Sequence, residues 1–244
     1  MRPRAAFGGA GMPVATTEWF NTSQYPVPLL ILFGVGCFGW VVAYVAIVRN
    51  ALRNQFLEIP AGAVVANIAW EFVWGFLYPN ELGRFFSWGY RIWFFFDLGI
   101  VYMLFRFGAR QVELPELKAV FRPACVFGIV AWAVGIYFFV GEGYDTGYGA
   151  ISGYILNTMM SALYVVIILR HGQLYDFSLV VAWSKMLGTA LLTVFNFIVQ
   201  PHNPYLLLLC MLTLALDLLY IGLFYWVRSG RAAALVSATR EEAR

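Results

Sequence analysis

Charge is scarce in this chain. Of its 244 residues only 12% are Asp, Glu, Lys or Arg, while 61% are hydrophobic and 18% aromatic. A soluble domain carries about 25% charged and about 45–50% apolar residues. This composition cannot clothe a water-facing surface, so the class is a polytopic membrane protein. Long runs of one sign are also missing: the net charge is +3, with no basic stretch, which argues against nucleic acid as a partner. Cysteine is sparse. Cys37, Cys125 and Cys210 stand isolated in apolar segments, fit neither a disulfide framework nor a metal motif, and read as small core hydrophobes. The two histidines, His171 and His202, sit in links and make no metal site. No DDxxD, DxDD, HExxH, GxGxxG or P-loop pattern occurs. Without an Asp-rich cluster, metal-assisted departure of a diphosphate is disfavoured, and no cofactor is called for. Proton chemistry by carboxyl groups remains.

Long apolar segments are what the chain has in quantity. A bilayer crossing needs about 20 mostly apolar residues. Seven candidates qualify: Pro28–Val48, Ala61–Tyr78, Tyr90–Phe107, Phe121–Val140, Gly149–Leu169, Phe177–Val199 and Pro204–Val227. The expected fold is all-α, a seven-helix transmembrane bundle over residues 28–227. Residues 1–27 read as a flexible N-terminal segment without the apolar core of a signal peptide, and residues 228–244 as a polar tail. The links after spans one, three and five hold Arg49, Arg53, Arg106, Arg110, Lys118, Arg122 and Arg170, and the tail adds Arg228, Arg231, Arg240 and Arg244. The other side has only Arg84 and Arg91 near the membrane. By the positive-inside rule the C-terminus is cytoplasmic and the N-terminus outside or lumenal. No internal repeat emerges.

Two spans carry an acid near mid-depth. Glu71 lies about ten residues into span two and Asp217 about thirteen into span seven, which at 1.5 Å rise per residue puts both near the midplane. A charge there costs about 2.5–3.5 kcal/mol on insertion scales, so such an acid marks a functional site by default. The competing reading is a hydrogen-bonded acid pair with structural value only. Asn67, four residues before Glu71, shares its helical face, with Trp74 beside them. Asp97 in span three is either a third acid of the site or a partner for Arg91 or a loop amide. Lys185, about two turns into span six, reads as snorkelling to the interface. Asn157, Ser161, Tyr164 and Asn196 face a substrate or serve as polar glue between helices. Trp70, Phe72 and Trp74 flank Glu71, and Tyr220 follows Asp217 by three residues. Ring faces stabilise cations, by about 2 kcal/mol when desolvated. An acid among aromatic walls suits chemistry that makes a carbocation away from water.

With these residues the chain resembles the small integral-membrane terpene cyclases of fungal meroterpenoid and indole-diterpene pathways and their bacterial relatives. The carriers are Asn67-Ile68-Ala69-Trp70-Glu71 in span two and Leu216-Asp217-Leu218 in span seven. The resemblance implies that Glu71 and Asp217 are the essential acids. It implies a lipophilic isoprenoid or prenylated aromatic substrate, drawn from membrane lipid and supplied by an upstream prenyltransferase or epoxidase. Glu71 would protonate a terminal epoxide or alkene, and Asp217 would support the cations, hydrogen-bond Glu71 or take the last proton. Asn67, Trp70, Trp74, Asp97, Asn157, Tyr164, Asn196 and Tyr220 are the candidate substrate-binding residues. Burial weakens a carboxylic acid, which favours epoxide opening unless donors such as Asn67 stabilise the conjugate base. The main alternative is a proton-coupled small-molecule transporter, for which mid-membrane acids are usual carriers. A further one is a heptahelical binding protein.

Overall fold

The protein was analysed as a computed structural model that describes residues 18–170 and 177–230. The expectations for residues 1–17, for His171, and for Arg231, Arg240, Glu241, Glu242 and Arg244 lie outside the described residues.

Seven helices follow one another in that part of the chain: α1 (Val27–Asn54), α2 (Ala61–Phe72), α3 (Arg84–Phe107), α4 (Pro115–Gly141), α5 (Ala150–Arg170), α6 (Leu179–Val199) and α7 (Pro204–Arg228). Proline in the first turn starts α1, α4 and α7, where its missing N–H costs nothing. Side-chain caps begin α6, where Ser178 accepts from Val181 N, and reinforce α7, where Asn203 accepts from Leu206 N. Helix α1 stops where Gln55 turns left-handed, at φ 54°. Six helices are long and apolar enough to cross a membrane. The seventh, α2, has 12 residues and continues as a five-residue π-helical turn, Val73–Leu77. Helices α1, α3 and α4 run past the apolar windows because their polar ends, such as Arg84, Glu116 and Lys118, extend them beyond hydrocarbon. Outward side chains are strongly apolar, with Phe127 74% and Leu169 67% exposed, a surface only lipid would tolerate. This is a multi-pass membrane protein.

The helix contacts define a closed ring in the order α1–α6–α7–α5–α2–α3 and back to α1, with α4 packed outside against α2. Small residues set the tightest crossing. A Cβ added at Gly39 of α1 would stand 2.9 Å from Gly188 Cα and 3.0 Å from Ser184 O of α6. The two backbones therefore touch, as small residues allow between helices in lipid.

The assignment of residues 1–27 to a flexible segment needs correction over its last third. Trp19 and Phe20 pack at the start of α3, with Phe20 and Phe85 rings 5.0 Å apart. Asn21 donates its backbone N–H to Leu82 O at 3.0 Å, and its side chain to Glu81 O at 2.8 Å. Tyr25 donates to Glu81 Oε1 at 2.5 Å. Aromatic anchors and satisfied amides hold this strap across the α2–α3 end of the bundle.

Candidate active site

The ring holds a cavity of about 90 Å³, lined from α1, α2, α3, α5, α6 and the α4–α5 link. Its walls are aromatic: Phe33 and Trp40 from α1, Trp70 from α2, Tyr90 and Trp93 from α3, Tyr154 from α5. Tyr90 and Trp93 lie with ring centroids 5.5 Å apart and nearly parallel, and Tyr90 meets Trp70 at 5.0 Å.

The acid in this wall is Glu71, 1% exposed. Helical spacing puts Asn67 one turn below it, and the ring order sets α1 and α3 beside that face. Tyr44 of α1 donates its hydroxyl to Glu71 Oε1 at 2.8 Å. Asn67 Nδ2 lies 3.1 Å from the same oxygen, 2.8 Å from Asp97 Oδ2 and 2.5 Å from the Tyr44 oxygen. One amide thus bridges two buried carboxyl groups. Glu71 Oε2 has no partner among the described residues.

Asp97 therefore belongs to the Glu71 cluster and is not a partner for Arg91. Arg91 donates Nε to Gly75 O at 2.7 Å and lies over the Trp88 ring. Gly75 O is open because the residue four on is Pro79, which has no N–H to fill it.

Asp217 is elsewhere. Its Oδ1 accepts from Lys185 Nζ at 2.6 Å, and Lys185 also donates to Ser161 Oγ at 2.7 Å. Both side chains of the pair are 5% exposed. Two expectations are corrected here. Lys185 does not snorkel, because a buried acid and hydroxyl satisfy its ammonium in place. Asp217 does not hydrogen-bond Glu71, because α5 stands between α7 and α2 in the ring. Lys185 Nζ lies 5.5 Å from the centre of the Trp40 ring, so Trp40 separates this ion pair from the cavity it lines.

Of the other candidates, Asn67, Trp70, Asn157 and Asn196 line the cavity. Trp74 is fully buried behind Trp70, where both indoles donate to Ser152 Oγ, at 2.8 Å from Trp70 and 3.4 Å from Trp74. Tyr164 and Tyr220 pack against each other, ring centroids 5.2 Å apart, outside the cavity lining. Asn196 accepts from the Tyr148 hydroxyl at 2.8 Å.

Sequence reasoning missed Tyr44, Trp93, Asp145 and Glu58. Tyr44 and Trp93 are lost among many aromatics in apolar runs; only their contacts single them out. Asp145 sits in the α4–α5 link and takes the backbone N–H groups of Thr146 and Ile151, each at 2.8 Å, and the Ser152 hydroxyl. It caps α5 and, through Ser152, sets the two indoles. Burial pushes its carboxyl up to about 6, against the pull of those bonds.

Glu58, in the α1–α2 link, is 1% exposed and accepts Ser178 N at 2.7 Å and Asn50 Nδ2 at 3.4 Å. Burial pushes it from 4.5 up to about 8, with both bonds opposing. A raised acid binds its proton more tightly folded than unfolded. Stability should therefore fall as pH rises between about 4.5 and about 8, and level off above. Melting followed in detergent across that window should show a declining midpoint for wild type and a flatter one for Glu58→Gln, with the residual slope confined below about 6 by Asp145. An unchanged slope in the variant would assign the pH dependence to other groups.

This combination is an aromatic cavity inside a helical membrane ring, with a bridged acid pair in its wall. Residues 20–230 match the family of Pyr4-like transmembrane terpene cyclases, and the chain belongs to that family. It is 32% identical over 111 residues to the Pyr4-family terpene cyclase mfmH of Annulohypoxylon moriforme, covering 46% of this chain and 45% of that protein. It is 31% identical over 111 residues to the terpene cyclase atmB of Aspergillus flavus, covering 43% and 40%. It is 25% identical over 172 residues to the terpene cyclase cle7 of Aspergillus versicolor, covering 66% and 67%. The chain thus spans less than half the length of the first two. No solved structure matches it.

Proposed function

We propose that this chain is a terpene cyclase that works as a Brønsted acid, with Glu71 as the proton donor to a terminal epoxide or alkene of a lipophilic isoprenoid. The observation that carries this reading is the Glu71 carboxyl in the wall of an aromatic cavity, with two donors on Oε1 and Oε2 free.

The chemistry follows from the surroundings. Glu71 and Asp97 share an apolar wall, and two carboxylates bridged by one amide repel strongly where solvent cannot screen them. The pair is read as holding one proton, with Glu71 its donor. When Glu71 releases that proton, Tyr44 and Asn67 donate to the carboxylate left behind. That support offsets the weakening of the acid by burial and extends its reach from epoxide oxygen toward alkene carbon. Proton transfer to an epoxide breaks its C–O bond; transfer to an alkene makes a new C–H bond. Either leaves a cation that neighbouring double bonds attack in turn. Trp70, Tyr90 and Trp93 face it with ring π-density and keep water away. Loss of a proton in the final step returns the enzyme's proton count to its start, so the reaction is an isomerisation.

A lipid-borne substrate enters from the membrane and is supplied by a prenyltransferase, or by an epoxidase if the epoxide is the reacting group. The arginine asymmetry orients the α1–α2 link and the C-terminus toward the cytoplasm.

Membranes containing the protein, incubated with prenylated aromatics carrying or lacking a terminal epoxide, should convert one of them to a product of unchanged mass. No gradient should be needed. Conversion should also persist in excess EDTA, since the described residues hold no cluster of three or more His, Cys, Asp or Glu side chains suited to a metal. Passage of unchanged substrate across sealed vesicles, driven by a proton gradient and without isomerisation, would favour the transporter instead.

A further inference from the structure

Apart from the acid, one other side chain in the cavity wall is left incomplete. Tyr90 donates to Tyr148 O, Tyr148 to Asn196 Oδ1, Tyr154 to Thr189 O, and the Trp70 indole to Ser152. Only two of the cavity's lining residues carry a fully buried polar atom with no partner: Glu71 at Oε2 and Asn157 at Oδ1. They come from neighbouring helices of the ring, α2 and α5.

Asn157 is 8% exposed, and one end of its amide is bonded. Nδ2 donates one N–H to Thr189 Oγ1 of α6 at 3.0 Å, across the helix packing. The oxygen is left over. Its own backbone carbonyl is already taken by the Ser161 hydroxyl at 2.8 Å. A buried acceptor without a donor is a standing cost to the fold, and native interiors keep few of them. Polar glue between helices would have both ends satisfied. An amide with one end satisfied, lining a cavity, is arranged as a receptor for a donor that arrives with the ligand.

We propose that Asn157 Oδ1 is the second anchor of the cavity, accepting a hydrogen bond from an O–H or N–H group on the substrate's head. This rests on reading the cavity as the isoprenoid site and adds to it a substrate class. The molecule has an acid-sensitive terminus for Glu71 and a phenol, alcohol or indole-type donor for Asn157. A head offering only ether or carbonyl oxygens finds a lone pair facing a lone pair. A site that hydrogen-bonds a ligand donor rejects the analogue lacking it far more sharply than an apolar pocket rejects a missing methylene.

The test uses a farnesylated phenol and its O-methyl ether, with binding and turnover each measured on purified protein in detergent. Wild type should bind the phenol about tenfold more tightly than the ether, the scale of one buried neutral hydrogen bond. Asn157→Leu and Asn157→Ala should abolish that preference by weakening the phenol while leaving the ether nearly unchanged. Thr189→Val removes the bond on the amide's other side but keeps the acceptor, so it should retain the preference. The inference is overturned if wild type binds neither probe, binds both equally or prefers the ether. It is also overturned if the Asn157 variants keep the preference, or if Thr189→Val loses it as they do. A preference that depends on Asn157, without any cyclised product from the phenol or from its terminal epoxide, would sink the cyclase reading and leave the donor site standing. Cyclisation without such a preference would do the reverse.

Discussion

Glu71→Gln should lower cyclisation by at least about 10²-fold, the scale of losing a general acid, while the protein stays folded in the membrane. The replacement is close to isosteric. Its amide oxygen can still accept from Tyr44 and Asn67, which now meet Oε1 at 2.8 and 3.1 Å. Its NH2 takes the place of Oε2, the atom without a partner. What disappears is the transferable proton. The loss should fall on kcat with substrate affinity nearly preserved, since the cavity keeps its shape. Turnover near wild type would remove Glu71 from the chemistry. A loss confined to affinity would make it a binding group.

Lys185→Met should destabilise the protein by about 3–5 kcal/mol, the usual result of stripping one partner from a buried pair. Asp217 would lose its ion-pair partner at 5% side-chain exposure, leaving Oδ1 newly unpaired beside an Oδ2 that already has no partner. Asp217→Asn should also lower the melting temperature, since it keeps an acceptor for the Lys185 ammonium but removes the charge that balances it. The double variant Lys185→Met, Asp217→Leu removes both charges and should recover most of the stability. Its activity then separates two roles for Asp217. If turnover returns with the fold, the ion pair is a brace for α5, α6 and α7. If the fold returns without turnover, Asp217 acts on the reaction through the Trp40 wall. Equal stability of wild type and Lys185→Met would show that the pair is not formed as described.

Apolar length and the position of two acids made the membrane class and the α2 motif readable from the chain. A helix of period 3.6 places Asn67 beneath Glu71 whatever surrounds it, so that contact needed no tertiary information. The partners of each acid did need it. Asp97 joins Glu71, and Lys185 joins Asp217, because of the order in which helices close the ring, and depth along a span says nothing about that order. Depth was matched for Glu71 and Asp217, yet α5 lies between their helices. Tyr44 could not be singled out among 14 tyrosines and 22 phenylalanines. The strap at residues 18–26 was misread because its anchors are scattered aromatics and one asparagine, with no periodicity to signal order.

The touching backbones of α1 and α6 have a consequence for how the cavity accommodates its contents. At Gly39 and Gly188 the two backbones meet directly, and Trp40 and Leu192 close the crossing on either side, so the helices form one stiff plank. Phe33, Trp40 and Tyr44 on α1 and Leu192 and Asn196 on α6 are nailed to that plank at fixed spacing. Compliance must therefore come from the facing wall, where α2 is short and ends in a π turn and α3 carries the large rings of Tyr90 and Trp93. One side of the chamber acts as a template and the other as a cushion. The Tyr44 hydroxyl belongs to the template, so Glu71 is registered against a fixed point while the aromatic side yields to the length of the chain it folds.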